Sequence, residues 1–273
     1  MMEHKKELSK RYSQIFEENK APEWSVHKKS SPNEFVKPTI PFVGKKYFEQ
    51  NKKILVYASA ENLSDYYEKG GWLDDDSVAC DRHRYYFENS IKENSYFYPS
   101  VHIQPFNDGC LVLTSAYIKE KVDTLNDCDP KEFLEQICFA NYCKYTIQCN
   151  PGENINVDYA DDKSKLEYSR EFIKADVETL SPDYIVMPKS IYETEKAFID
   201  EVKGQAKIVP IFQMNARNIN MRISKKYEPI DKNKFNHTLL RWHSKLNRYG
   251  IIGKTKDNFL SVFTYLDHIL KDI

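Results

Sequence analysis

Three apolar runs in this chain are each followed directly by side chains that could do chemistry. Carboxylates, amides and hydroxyls bind ligands through hydrogen bonds, and carboxylates also transfer protons. Ligands of open α/β sheets lie at the carboxyl ends of the strands, so the pattern predicts a site there. The runs and their polar residues are Ile54 to Ala58 with Ser59, Glu61 and Asn62; Ile137 to Ala140 with Asn141 and Tyr142; and Ile208 to Phe212 with Gln213 and Asn215.

Two of these side chains also have purely structural interpretations. Glu61 could simply cap a helix that follows its strand, because carboxylates favour helix starts. Asn141 could serve only to satisfy buried backbone groups. Both interpretations stay open from the sequence alone.

Four apolar runs predict the strands that position these residues. The fourth run is Tyr184 to Met187, and all four have the unbroken form of strands buried on both faces. A helical pattern separates Tyr184 to Met187 from Ile208 to Phe212, which predicts a parallel βαβ unit. The expected fold class is α/β, a three-layer sandwich with a central, mostly parallel four-stranded sheet flanked by helices.

Capping signals and apolar spacing predict the helices. Asp129 followed by Pro130 marks the start of a helix over 129–136. Ser190 and Glu193 have the spacing of a capping box for a later helix. Further helices are expected over 5–19, 166–180 and 257–269, and Leu111 to Ile118 fits either a strand or a buried helix.

Composition narrows the class of protein. The chain has 273 residues and a net charge of −1, so a polyanion partner would require a local basic patch. The 6 cysteines form no C-x-x-C pair and no signal-like segment opens the chain, which predicts reduced thiols and a cytoplasmic location. No apolar run approaches the roughly 18 residues of a membrane span, which excludes an integral membrane protein.

The length permits a single domain over residues 1–273, and composition divides it into three parts. An N-terminal helix and a proline-rich wrap are expected over 1–40, the core over 41–217, and a C-terminal helical extension over 218–273. The oligomeric state is not predicted.

Cations and aromatic rings are interleaved between residues 81 and 106. Groups of this kind hold phosphates and stack bases, although a long loop packed by its own rings has the same pattern. Further arginines follow the polar turn at Gln213. They could contact nucleic acid, or they could simply form a surface exposed to solvent. The predicted nucleic-acid-binding residues are Arg82, Arg84, Arg217 and Arg222.

Together these segments resemble the uracil-DNA glycosylase superfamily, in particular its bacterial members. The resemblance covers residues 41 to 217 and implies a parallel four-stranded sheet with a base pocket at its carboxyl edge. The matching segments are Pro41-Phe42-Val43-Gly44 ahead of KILVYASAEN, ICFANYCKY (137–145), LSPDYIVMP (180–188) and IVPIFQMNAR (208–217).

The resemblance implies an enzyme that hydrolyses the N-glycosidic bond of a damaged or modified base in DNA, without metal or cofactor. In that family an Asn after the second core strand reads the edge of an extruded base, and Asn141 has that place. A carboxylate after the first strand positions water or stabilises the sugar cation, as Glu61 would. The substrate-binding neighbours would be Ser59, Asn62, Phe106 and Tyr142.

Two motifs differ from the family's usual pattern. An Asp followed by Pro and an aromatic residue is replaced by the segment from Ser59 to Leu63, so the ring that walls off uracil is missing. The expected base is therefore bulkier than uracil. A His-Pro-Ser turn is replaced by Gln213-Met214-Asn215, so that a neutral donor, Gln213 or Asn215, would bind the departing base. The cysteine spacings do not match the iron–sulfur branch.

Two other functions are compatible with the same residues. Because the family's His is missing from the last motif, the chain could keep the fold and bind a nucleotide or nucleic acid without catalysis. A small-molecule hydrolase with Ser59 as nucleophile is a third possibility, but Tyr57 to Glu61 lacks the glycines of G-x-S-x-G.

Overall fold

A five-stranded mixed sheet forms the centre of the computed structural model, which describes residues 2–25, 27, 31, 33–62, 110–147, 163–244 and 253–273. Its order is β1-β3-β2-β4-β5. The four strands β2 to β5 run parallel, and β1 is antiparallel to β3. The strands are β1 (Phe42–Val43), β2 (Ile54–Asn62), β3 (Cys138–Ile147), β4 (Tyr184–Pro188) and β5 (Lys207–Ile211).

The predicted α/β class with a parallel four-stranded core is confirmed, but the sheet has a fifth strand. Phe42 and Val43 pair with Phe139 and Cys138 at the edge, and a two-residue strand is too short to show any period. β2 and β3 also extend beyond the apolar runs that predict them. Polar residues continue both strands because each supplies hydrogen bonds to the other.

Helices cover both faces of the sheet. A π-helical turn, Ile219–Ile223, follows the short helix after β5. Within the described residues no helix is both long and apolar enough to cross a membrane. The helices are α1 (Met2–Glu18), α2 (Cys110–Val122), α3 (Pro130–Leu134), α4 (Lys163–Glu167), α5 (Arg170–Leu180), α6 (Lys189–Val202), α7 (Ala216–Asn218), α8 (His237–Ser244), α9 (Gly253–Asn258) and α10 (Leu260–Lys271).

Of two helix starts predicted from capping residues, the structure confirms one and contradicts the other. Asp129 caps α3 as predicted, and its carboxylate and that of Glu132 accept each other's backbone N–H. The capping box predicted for Ser190 and Glu193 is wrong. α6 starts at Lys189 directly after β4, and no side chain caps it. The ambiguous segment from Leu111 to Ile118 lies in α2 and is therefore helical.

Alternation along the strands divides the core into two layers. In β2, Val56 and Ala58 face a layer that includes residues of α2, α8 and α10. Leu55 and Tyr57 face the opposite layer, which includes residues of α1, α5 and α6. Because successive side chains of a strand point to opposite faces, neighbouring residues of β2 and β3 contribute to different layers.

Gly44 marks a close approach between the edge strand and the segment before β3. Its N–H donates to the carbonyl oxygen of Ile137 at 3.0 Å. A Cβ added to Gly44 would lie 2.5 Å from the carbonyl carbon of Glu135, which is closer than real Cβ atoms come. Only glycine therefore permits β1 to sit this close to the chain that enters β3.

His243 is buried in the layer around α8 and α10, where it stacks on Phe259. Its Nε2 has no hydrogen-bond partner among the residues that the structure describes. Burial lowers the pKa of His243 from 6.5 to about 4, and the positive charges of Lys232 and Lys256 act in the same direction. The imidazole is therefore neutral in the folded protein at neutral pH.

The pKa of His243 predicts a loss of stability in mild acid. The unfolded chain binds this proton near pH 6.5 and the folded chain only near pH 4, so stability should fall as the pH drops between these values. The contribution is at most about 3 kcal/mol. Urea titrations at several pH values measure it. His243→Gln should flatten this part of the profile, whereas His268→Gln, at an exposed position, should not.

Candidate active site at the carboxyl edge of the sheet

Strand pairing brings residues of four strands into one row across the sheet. Val56 pairs with both Phe139 and Val186, and Val186 pairs with Val209. The row two residues further along each strand consists of Ala58, Asn141, Pro188 and Ile211. We call it the Asn141 row. β4 and β5 end in this row, whereas β2 and β3 continue beyond it. Asn141 therefore lies level with the carboxyl ends of β4 and β5, which are two and three strands away from β3 in the sheet.

Asn141 is buried within β3 and does not follow its end, which corrects the predicted strand boundary. Only 2% of its surface is exposed. Its pairing partner is Ala58, and strand alternation places both on the face that Phe139 shares with α2. A shielded amide makes stronger and more selective hydrogen bonds than an exposed one, which suits a group that reads a ligand.

The structure describes the other predicted site residues of β2, Ser59, Glu61 and Asn62, only in part. Ser59 is half-buried in β2, and the backbone of Glu61 and Asn62 continues the same strand. The side chains of Glu61 and Asn62 lie outside the described part of the structure. Three further predicted site residues, Arg82, Arg84 and Phe106, also lie outside the described residues.

The turn after β5 is held by amide side chains. Asn215 Oδ1 accepts the backbone N–H of Asn218 at 2.9 Å and so caps α7. Asn218 Nδ2 donates to the carbonyl oxygen of Gln213 at 2.8 Å. Gln213 is exposed and Met214 is buried, which anchors the turn. Because the cap uses the oxygen of Asn215, a hydrogen bond to a departing base would come from its Nδ2 or from Gln213.

A ring flanked by cations adjoins this turn. Lys189 Nζ lies 5.5 Å and Arg222 Cζ 5.7 Å from the centroid of the Phe212 ring. The ring stacks on Tyr265 at 5.3 Å, and the Tyr265 hydroxyl accepts the backbone N–H of Phe212. We call Lys189, Phe212 and Arg222 the Phe212 cluster. It lies where β4 and β5 end, next to the Asn141 row.

The positive charges near this cluster have few carboxylate partners among the described residues. Arg217 and Arg222 are exposed, and neither forms an ion pair with any described residue. Lys189 has one partner, Glu193, at 3.6 Å. Exposed cations without carboxylate partners create a positive potential that attracts anions. This edge of the sheet is therefore suited to hold a phosphate group.

No family model, curated protein or solved structure matches this chain. The site is therefore interpreted from its own chemistry. Within the described segments, no group of three or more His, Cys, Asp and Glu side chains could hold a metal ion. Cys128, Cys138 and Cys143 are free and buried, and burial raises the pKa of each thiol.

A buried carboxylate that the sequence analysis missed lies behind the Asn141 row. Asp176 of α5 is completely buried and accepts hydrogen bonds from the Tyr12 hydroxyl at 2.6 Å and the Tyr57 hydroxyl at 2.9 Å. Lys144 Nζ of β3 lies 2.6 Å from the same carboxylate. Burial lowers the pKa of Lys144, and Asp176 opposes that change. Burial also raises the pKa of both tyrosines.

A second buried carboxylate, Glu195 of α6, has a similar arrangement. It accepts the Tyr142 hydroxyl at 3.2 Å and two hydrogen bonds from the Arg170 guanidinium, at 2.8 and 3.0 Å. The helix is locally distorted at Glu195, where φ is −100° and ψ is 16°. Tyr142, predicted to contact substrate, thus has its hydroxyl bound to Glu195 and its ring in the layer opposite Asn141.

The sequence contains a signal for these carboxylates. Asp176 interrupts the apolar face of α5 between buried Ala175 and Val177, and Lys144 lies in β3 between buried Cys143 and Tyr145. Charged residues are almost never fully buried unless they are paired. A charged residue at a core position therefore indicates a partner elsewhere in the chain, although it does not identify that partner.

Proposed function

We propose that this protein binds DNA at the carboxyl edge of its sheet and hydrolyses the N-glycosidic bond of a damaged or modified base. The observation that carries the proposal is the positive charge beside the Asn141 row, where Arg217 and Arg222 are exposed and form no ion pair with any described residue. Strands in a sheet are about 4.8 Å apart, so β3 and β5, three spacings apart, are separated by about 14 Å. A nucleotide can span that distance, with its base near Asn141 and a phosphate near Arg222.

In the proposed reaction water replaces the base at the sugar carbon. The bond between C1′ and the base nitrogen breaks, and its electron pair leaves with the base. Water adds to C1′, and its proton passes to the Glu61 carboxylate. Gln213 or Asn215 donates a hydrogen bond to the base anion, which then takes a proton from solvent.

The expected substrate is a pyrimidine or purine base that carries a bulkier substituent than uracil does. The segment from Ser59 to Asn62 supplies no aromatic ring at the place where the uracil-specific relatives have one. A pocket rejects an added group only if something occupies the space, and an open apolar gap discriminates by only about 1–3 kcal/mol. Initial rates on uracil and on a C5-substituted pyrimidine in the same duplex compare the two substrates directly.

A nucleic-acid-binding protein without catalytic activity is the second candidate. It is favoured by the turn from Gln213 to Asn215, which has no titratable side chain and uses the Asn215 oxygen for a helix cap. Such a protein would use Asn141 and the cations as described above. It would leave the glycosidic bond intact.

A screen for abasic sites separates these functions. The full chain is incubated with single-stranded and duplex oligonucleotides that each contain one modified base, and alkaline cleavage reports excision. We expect cleavage at one class of base, and its loss in Glu61→Gln with binding retained. Binding without cleavage on every oligonucleotide would favour the second candidate. Absence of both would contradict a DNA partner.

The proposed phosphate contact predicts a salt-dependent effect of Arg222. Arg222→Gln should weaken oligonucleotide binding at low salt and reduce the slope of log K against log salt by about 1. Fluorescence anisotropy across a salt series measures both. Lys207→Gln is the matched control, because Lys207 is exposed at the opposite end of β5. Equal effects of the two substitutions would show that binding is not localised at the carboxyl edge.

A further inference from the structure

Two tyrosines lie directly behind the Asn141 row. Tyr57 precedes Ala58 in β2, and Tyr142 follows Asn141 in β3. Successive side chains point to opposite faces of a strand, so both phenol rings lie on the face away from Asn141. The two rings meet edge to face, with centroids 5.8 Å apart.

Each of these phenols is bound by a buried carboxylate from a different helix. Asp176 of α5 accepts the Tyr57 hydroxyl, and Glu195 of α6 accepts the Tyr142 hydroxyl. A cation neutralises each carboxylate, Lys144 for Asp176 and Arg170 for Glu195. Buried ion pairs add little stability compared with apolar side chains of similar size, and in some proteins they specify one arrangement of the chain. The Lys144–Asp176 pair, in which both side chains are buried, is therefore better suited to hold geometry than to add stability.

The ladder between β2 and β3 becomes irregular close to these two tyrosines. Ala60 pairs with Cys143, but Asn62 pairs with Ile147, so β3 contains extra residues over this stretch. Lys144 is the first residue after the last regular pair. Its backbone N–H donates to Ser169 Oγ at 2.9 Å and its Nζ to Asp176, so both groups are held by the segment that begins α5 and by α5 itself.

We propose that Asp176 and Glu195 are positioning residues that hold β2 and β3 in the register at which Ala58 lies beside Asn141. The inference rests on the proposed function for the role of Asn141. The carboxylates act through Tyr57 and Tyr142 and touch no substrate. Tyr12 of the N-terminal helix α1 also donates to Asp176, so α1 belongs to the same hydrogen-bond network.

Single hydroxyl deletions test this role with little change in shape. Tyr57→Phe and Tyr142→Phe each remove one donor to a buried carboxylate. Tyr47→Phe is the matched control, because Tyr47 is also fully buried but its hydroxyl contacts the Leu180 carbonyl oxygen at 3.4 Å, away from both carboxylates. Hydrogen exchange of residues 54–62 and 138–147 is measured with each full-length variant. Oligonucleotide affinity is measured at a temperature at which all variants are folded.

We expect Tyr57→Phe and Tyr142→Phe to exchange faster in these two strands and to bind an oligonucleotide about tenfold more weakly, because only about a tenth of the molecules would keep the register that binds. Tyr47→Phe should lower overall stability without either local effect. The same change in all three variants would overturn the inference. If the unaltered protein binds no oligonucleotide, the proposed function fails, and the exchange comparison still decides the positioning role.

Discussion

Replacing Lys144 with Met should lower the free energy of unfolding by about 3–5 kcal/mol, because it leaves a buried carboxylate without its cation. Asp176 is completely buried, and its other described partners, Tyr12 and Tyr57, are neutral donors. Met has a similar length and no charge, so the substitution removes the ion pair with little change in volume. Urea denaturation followed by circular dichroism measures the change.

A matched exposed pair is the control for this prediction. Lys196 and Asp200 form an i,i+4 ion pair on the surface of α6, and Lys196→Met should lower the free energy of unfolding far less than Lys144→Met does. Replacing both members of the buried pair, in Lys144→Met with Asp176→Leu, should restore part of the lost stability. A loss below about 1 kcal/mol for Lys144→Met alone would show that water or a rearranged chain compensates Asp176.

Replacing Asn141 with Ala should weaken binding of the substrate oligonucleotide by about 1–3 kcal/mol, which corresponds to roughly 5- to 150-fold. The amide is buried in the Asn141 row, where a hydrogen bond to a base would be shielded from water. The stability of the fold should change less than the affinity. Titration of a labelled oligonucleotide with the variant measures the affinity.

Salt separates the Asn141 effect from that of the cations. An amide is uncharged, so the loss in Asn141→Ala should be similar at low and high salt, whereas the loss in Arg222→Gln should shrink as salt rises. Asn19→Ala, at an exposed position after α1 where, among the described residues, the side chain donates only to the Ile15 carbonyl oxygen, should leave the affinity unchanged. Unchanged affinity in Asn141→Ala would exclude this residue as the base-reading group.

Local sequence patterns determined much of this fold. The four parallel strands, the start of α3 at the Asp129 cap and the end of α5 before Pro182 follow from interactions between residues close in the chain. An unbroken apolar run is stable only when it is buried, whatever the rest of the chain does, and a capping residue contacts only its own helix. For the same reason the sequence placed the turn from Gln213 to Asn215 after its strand, whereas Asn141, predicted to follow its strand, lies within β3.

Tertiary structure alone decided the register, the strand lengths and the buried network. β2 and β3 extend beyond their apolar runs because they pair with each other, and β1 exists because β3 offers an edge. Asp176 meets a lysine 32 residues away and tyrosines 119 and 164 residues away. The sequence marks Asp176 as a charge at a core position, but partners at such separations meet only when α1, α5 and the two strands pack together.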